Sequence, residues 1–131
     1  LEAEGVSAAM QLPGDIPGVS ASEINALIAA HTAKPSPAMT IVQAHDFRGS
    51  NALAVSPPTL IPFHFGHDSF QPHLTEARAA GVEPEIVTDL PGIALDIDTA
   101  DDLAKLLAHA DLQTKATIWA REGGLVERLS R

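Results

Sequence analysis

PGIALDIDTADDL, residues 91–103, contains the step from extended chain to helix on which the fold reading turns. The apolar run Ile93 to Ile97 lies between a Pro-Gly turn signal and polar residues, which reads as a short buried strand. Thr99 and Asp102 have the spacing of a capping box, and Leu103, Leu106 and Leu107 recur at helical intervals, so a helix is predicted over Thr99 to Ala110. In the extended segment ALDID, alternate side chains face one way, which puts the Asp96 and Asp98 carboxylates on one side. Two carboxylates so placed can hold a hard divalent cation through oxygen. The plainer alternative is a solvated Asp96 and an Asp98 that caps the following helix.

Outward from this stretch, the chain alternates in type. Ser7 to Leu12 reads as a strand that stops at Pro13-Gly14 and is followed by the turn PGDIPG. An amphipathic helix is predicted over Ser20 to His31, with Ser20 and Glu23 at capping-box spacing and Ile24, Leu27 and Ile28 on one face. Met39 to Ala44 and Asn51 to Ser56 read as strands joined by the polar loop HDFRGS, and Glu85 to Thr88 as another. Between them, Ser69 to Ala80 is predicted as a helix that accommodates Pro72 in its first turn and stops at Gly81. Gln113 to Arg131 is helical with a break at Gly123-Gly124. Its apolar residues Ile118, Trp119, Leu125 and Val126 suit packing on the same domain or on a second subunit of a homo-oligomer. Strands alternating with helices give an α/β class with a mainly parallel or mixed sheet, here as a single domain over residues 1–131. The opening LEAEG has no initiator Met and reads as the end of a helix, as expected of a fragment.

Composition narrows the function. A chain of 131 residues with 45% hydrophobic residues can bury one core. It has no cysteine, hence neither a disulfide nor a thiolate metal site, and no long apolar run, so a cytoplasmic protein without a membrane span is expected. The formal charge is -9, and the eight Lys and Arg are scattered among seventeen acids, which argues against a nucleic-acid surface. A phosphate ligand would therefore need a metal ion, backbone N–H groups or a helix N-terminus.

Three further places carry candidate chemistry. Asp15, in LPGDIPG, follows a strand, where open α/β sheets gather ligands, although an ordinary turn aspartate has the same signature. With Asp96 and Asp98 it suggests a Mg²⁺ site, since this ion is held by few carboxylates with water and substrate phosphates completing its shell. In RGSNAL, residues 48–53, Gly49 permits close approach while Ser50 and Asn51 offer a hydroxyl and an amide; a plain loop is the competing reading. In FGHDSFQPH, residues 65–73, the N–H groups after Gly66 and the Ser69 hydroxyl stand where a helix dipole favours an anion, unless Asp68 or Ser69 is simply an N-cap. His45, His64, His67, His73 and His109 have no zinc-like spacing, and His31 reads as a helix C-terminal feature.

In their order, LPGDIP, RGSNAL, FGHDSFQPHLTEARAAG and PGIALDIDTADDL resemble the 2-phospho-L-lactate guanylyltransferase family of deazaflavin coenzyme F-420 biosynthesis, over about residues 1–107. The resemblance implies a GT-A-like nucleotide-diphospho-sugar transferase fold and Mg²⁺-dependent transfer of GMP from GTP to the phosphate of a small phospho-acid. That acid would be 2-phospholactate, phosphoenolpyruvate or 3-phosphoglycerate, and pyrophosphate would be released. It implies metal ligands at Asp15 and at Asp96 or Asp98, and phosphate and carboxylate contacts at Ser50, Gly66 and Ser69. Ser50 stands where the family usually has Thr. The family's N-terminal nucleotide-binding part, with its Gly- and Lys-containing loop, has no counterpart in these residues; either such a segment is not included or the activity is lost. Two other classes fit the residues: a nucleotidyltransferase with a molybdenum-cofactor or sugar-type acceptor, and a non-catalytic α/β interaction domain.

Overall fold

The computed structural model describes residues 4–131; Leu1 to Ala3, where most of the predicted helix end falls, lie outside the described residues. Four strands, β1 (Ala9–Gln11), β2 (Ala38–Gln43), β3 (Ser50–Ser56) and β4 (Glu85–Ile86), form one mixed sheet in the order β1-β3-β2-β4. β3 pairs antiparallel with β1 (Met10 opposite Ala54) and with β2 (Ile41 opposite Leu53), whereas β4 joins β2 in parallel. The β2–β3 register slips after Val42, so that Gln43 faces Ser50 and Asn51 has no partner across the ladder. A bulge of this kind re-aims neighbouring side chains, and these two belong to the candidate site.

Helices cover both faces, which is why β2 and β3 are nearly continuous apolar runs and not alternating ones. On one face Met39, Ile41, Leu53 and Val55 pack with Phe70, Leu74 and Ala77 of α2 (Phe70–Ala79). On the other, Val42 and Ala52 pack with Leu27 of α1 (Ala21–Thr32), Ile16, Leu90 and Ile93. The result is an α/β arrangement with a four-stranded mixed sheet flanked by helices.

The decisive stretch differs from its sequence reading. Residues 93–97 are not a strand: Pro91–Ala94 forms a single helical turn, α3, and the chain continues extended from Leu95 without joining the sheet. Proline at the first turn favours the helix start, and the turn's N–H groups have a partner that the local sequence does not reveal. Glu23, predicted to complete the capping box of α1, instead accepts from Gly92 N at 3.0 Å and Ile93 N at 2.9 Å. Only the Ser20 half of that box exists, through Glu23 N to Ser20 Oγ at 3.2 Å. Gly92 is required by close approach, since a Cβ there would stand 2.2 Å from the Gly18 carbonyl oxygen.

After this segment, α4 (Ala100–Ala108) starts with the complete Thr99–Asp102 capping box that the sequence predicts. Leu95, Leu106 and Leu112 form a third, smaller cluster. α5 (Lys115–Glu122) and α6 (Leu125–Leu129) are separated by Gly123-Gly124, as read from the sequence. The Arg121 guanidinium donates to the carbonyls of Leu107, His109 and Leu112, tying α5 to the end of α4 within the same chain and leaving Trp119 71% exposed. No helix among the described residues is long and apolar enough to cross a membrane.

Candidate active site

Asp15, Asp96 and Asp98 come together although the first stands more than eighty residues from the others: one carboxylate oxygen of each lies within 4.8 Å of the rest. Their backbones are joined directly, Ile97 N donating to the Asp15 carbonyl at 3.0 Å. The turn α3 orients this strap. His45 N donates to the Ala94 carbonyl at 2.8 Å, and the Asn51 amide donates to the carbonyls of Ile93 and Ala94 and to Asp96 Oδ1 at 2.9 Å. Asn51, expected at the substrate, thus spends its Nδ2 on aiming Asp96. Asp98 is held from its C-terminal side, its N–H donating to Asp102 Oδ2 at 3.2 Å.

The carboxylates repel one another. Asp96, and then burial and Asp15, raise the Asp98 pKa above its ordinary value. By contrast, the Thr99 hydroxyl and the N–H groups of Asp98 and Thr99 hold Asp102 below its ordinary value. His45 bridges the two sets, with Nε2 3.1 Å from Asp102 Oδ1 and Nδ1 3.7 Å from Asp96 Oδ1, the latter beyond hydrogen-bond reach.

The three aspartates open into a cleft of about 270 Å³ whose walls also include Gly49, Ser50, Asn51, Phe65, Gly66 and His67. Asp46 and Asp68 line it as well, which makes five aspartates and neither Lys nor Arg. Asp46 is kept below its ordinary pKa chiefly by the Arg48 N–H, and Asp68 is paired at the exposed rim with the Arg48 side chain. Gly66 has φ 144°, a conformation reserved for glycine, with open space around it. A larger recess of about 320 Å³ at the β4 edge, between Val42, Ile86 and Leu90, has mostly apolar walls and holds none of the three clustered carboxylates. The clustered carboxylates therefore belong to the smaller cleft.

Ser69 takes a different place from the one expected. It precedes α2 as N-cap without capping through its side chain, is buried, and does not line the cleft. Its hydroxyl accepts from Ser50 N at 3.0 Å and donates to Ser50 Oγ at 3.1 Å. The N–H of Phe70, the first residue of α2, is occupied by the Arg48 carbonyl. Of the groups expected from the sequence to meet an anion, Ser50 and Gly66 face the cleft and Ser69 supports Ser50 from behind.

A sequence model of the family described as guanylyl transferase, CofC-like, matches residues 3–126. The chain belongs to this family. Curated relatives include the phosphoenolpyruvate guanylyltransferase of Rubrobacter xylanophilus, 36% identical over 84% of this chain and 52% of the relative. That of Sphaerobacter thermophilus is 38% identical over 73% and 44% respectively. The 3-phospho-D-glycerate guanylyltransferase of Colwellia psychrerythraea is 37% identical over 72% and 43%. The chain spans about half the length of the curated relatives it matches.

Sequence reasoning missed the site's supports: Glu23, His45, Asp102 as a joint anchor for His45 and Asp98, and His73 behind Ser50. A signal existed for the last, because Ser69 and His73 are four apart and so share a helix face.

Proposed function

We propose that this chain carries the metal and acceptor portion of a guanylyltransferase centre that joins GMP, from GTP, to the phosphate of a phospho-acid, with phosphoenolpyruvate as the foremost acceptor. The observation that carries the reading is the meeting of Asp15, Asp96 and Asp98 at the mouth of a cleft walled by Ser50 and Gly66, in a chain of the CofC-like family. The names of its relatives support the acceptor class. A GT-A-like fold and a place in coenzyme F-420 biosynthesis belong to the same proposal.

The donor set suits Mg²⁺: hard carboxylate oxygens, few in number, partly exposed so that waters and phosphates can complete the shell. A cleft lined by five aspartates, with Arg48 at its rim paired to Asp68, keeps an excess of negative charge and would repel a phospho-acid without such an ion. When bound by Asp15, Asp96 and Asp98, Mg²⁺ would supply neutralisation of phosphate charge. The rest is positioning. The acceptor's phosphate is ionised at neutral pH, so its oxygen attacks the α-phosphorus of GTP without a general base. A P–O bond forms, the α–β bridging bond breaks, and pyrophosphate leaves. In this scheme Ser50 and the Gly66 backbone hold the acceptor's anionic oxygens, and Asn51 and Glu23 keep the 91–98 strap in place.

Isothermal titration of the chain with phosphoenolpyruvate, 3-phosphoglycerate and 2-phospholactate, each with and without Mg²⁺, tests this. Heat from phosphoenolpyruvate that requires the metal is expected; binding of none, or binding indifferent to chelator, would overturn the reading.

A further inference from the structure

We propose that His73 is a positioning residue that turns the Ser50 hydroxyl into an obligatory hydrogen-bond donor to an anionic ligand in the cleft, an inference that rests on the reading of this cleft as the acceptor site. His73 is completely buried on α2, one layer behind the cleft wall. Its Nε2 lies 2.9 Å from His64 N. A backbone N–H can only donate, so Nε2 must be the unprotonated, accepting nitrogen. The ring proton of the neutral imidazole is therefore on Nδ1, 2.8 Å from Ser50 Oγ, and is donated to it. Burial, and secondarily His64, lower the His73 pKa and keep the ring neutral, while Glu76 opposes them weakly.

Ser50 Oγ also receives the Ser69 hydroxyl, which itself accepts from Ser50 N. With both acceptor positions of Ser50 Oγ filled from the buried side, its own hydrogen is the group left to face the cleft that Ser50 lines. A hydroxyl free to rotate could present either a donor or a lone pair. This one presents a donor, as an anion needs in a cleft otherwise rich in carboxylates. The arrangement also fixes the side chain sterically: Phe65, at the cleft wall, meets the His73 ring edge-on at 5.1 Å between centroids.

Two measurements decide the proposal. Heteronuclear NMR of the histidine ring nitrogens in the ligand-free chain at neutral pH is expected to show His73 as the Nδ1-protonated neutral tautomer. The Nε2-protonated form or an imidazolium would overturn the relay. Titration with phosphoenolpyruvate at fixed Mg²⁺ then compares the parent with H73L, which removes the donor, and with H73N, whose amide restores one near Nδ1. H73L is expected to weaken binding of the acid about tenfold, as for loss of a charge-assisted hydrogen bond, with Mg²⁺ affinity unchanged and most of the loss recovered in H73N. Equal binding by H73L and the parent would overturn the proposal, as would equal losses toward acid and metal. Failure of the parent itself to bind any phospho-acid overturns the acceptor reading instead and removes the ligand half of this proposal, while the tautomer is read independently.

Discussion

Replacing Glu23 tests how the strap that carries Asp96 and Asp98 is anchored. The Glu23 side chain is buried and accepts from two consecutive amides, Gly92 N and Ile93 N, across a sequence distance of about seventy residues. Truncation by Glu23→Ala leaves both N–H groups unsatisfied in the interior. Each such group costs about 1–3 kcal/mol, so a loss of about 4 kcal/mol is expected. That is a large part of the about 5–15 kcal/mol by which domains of this size are stable. Glu23→Gln keeps one acceptor oxygen but turns an NH₂ toward the other amide, and about half the loss is expected. Urea unfolding followed by far-ultraviolet circular dichroism is the suitable assay, because Trp119 is too exposed to report the core by fluorescence. Mg²⁺ titration of the still-folded Gln variant should show weakened binding, since the strap loses one of the two hydrogen bonds that Glu23 accepts from it. Unfolding of both variants within about 0.5 kcal/mol of the parent, the size of an ordinary surface effect, would refute the anchoring argument.

Gly92→Ala is expected to cost about 3 kcal/mol or more, because the added methyl meets the Gly18 carbonyl oxygen at 2.2 Å, backbone that cannot swing aside, as well as Glu23 Oε2 at 2.6 Å; soluble yield and thermal midpoint check it. Stability should also fall on mild acidification. His31, held between Thr40 Oγ1 and Ser56 Oγ, and His73 both have pKa values lowered mainly by burial below the ordinary 6.5. The unfolded chain therefore binds more protons, so the stability is complete above pH 6.5 and is lost as pH falls through the lowered values, with a limiting slope of about 1.4 kcal/mol per pH unit for each histidine. Urea midpoints measured between pH 7.5 and about 4.5 read this before the lowered carboxylates Asp46 and Asp102 begin to protonate; a flat profile would remove the two histidines from the account. Asp98→Asn should raise the thermal midpoint in chelator, by relieving repulsion from Asp96 and Asp15, and should abolish the rise produced by added Mg²⁺. A variant that behaves like the parent in both conditions would take Asp98 out of the metal set.

The legible parts of the fold were those governed by local rules. The α4 capping box, the break at Gly123-Gly124, and the two apolar strands β2 and β3 depend on residues within a few positions of one another, and the structure has them where the sequence reads them. Residues 93–97 failed because a short apolar run has the same composition in a buried strand as in a buried turn. What decides between them is Glu23, whose partners cannot be inferred from spacing. The same limit applies to Ser69. Its position before a helix was legible, but its hydroxyl is claimed by Ser50, nineteen residues earlier, through a contact created by packing α2 on β3. For the three aspartates the sequence supplied residue type and placement after extended chain, while their convergence depends on the whole sheet being assembled.

The hydrogen bond from Ile97 N to the Asp15 carbonyl closes a loop of 82 positions, and the carboxylate cluster sits at its clasp. No contiguous piece of the chain that lacks either end can form the cluster. A cation seated there would consequently report the integrity of the entire intervening fold, from α1 through β2, β3 and β4 to α3, rather than the order of one loop. Its binding free energy would add to global stability by mass action, so metal occupancy and foldedness would rise and fall as one quantity.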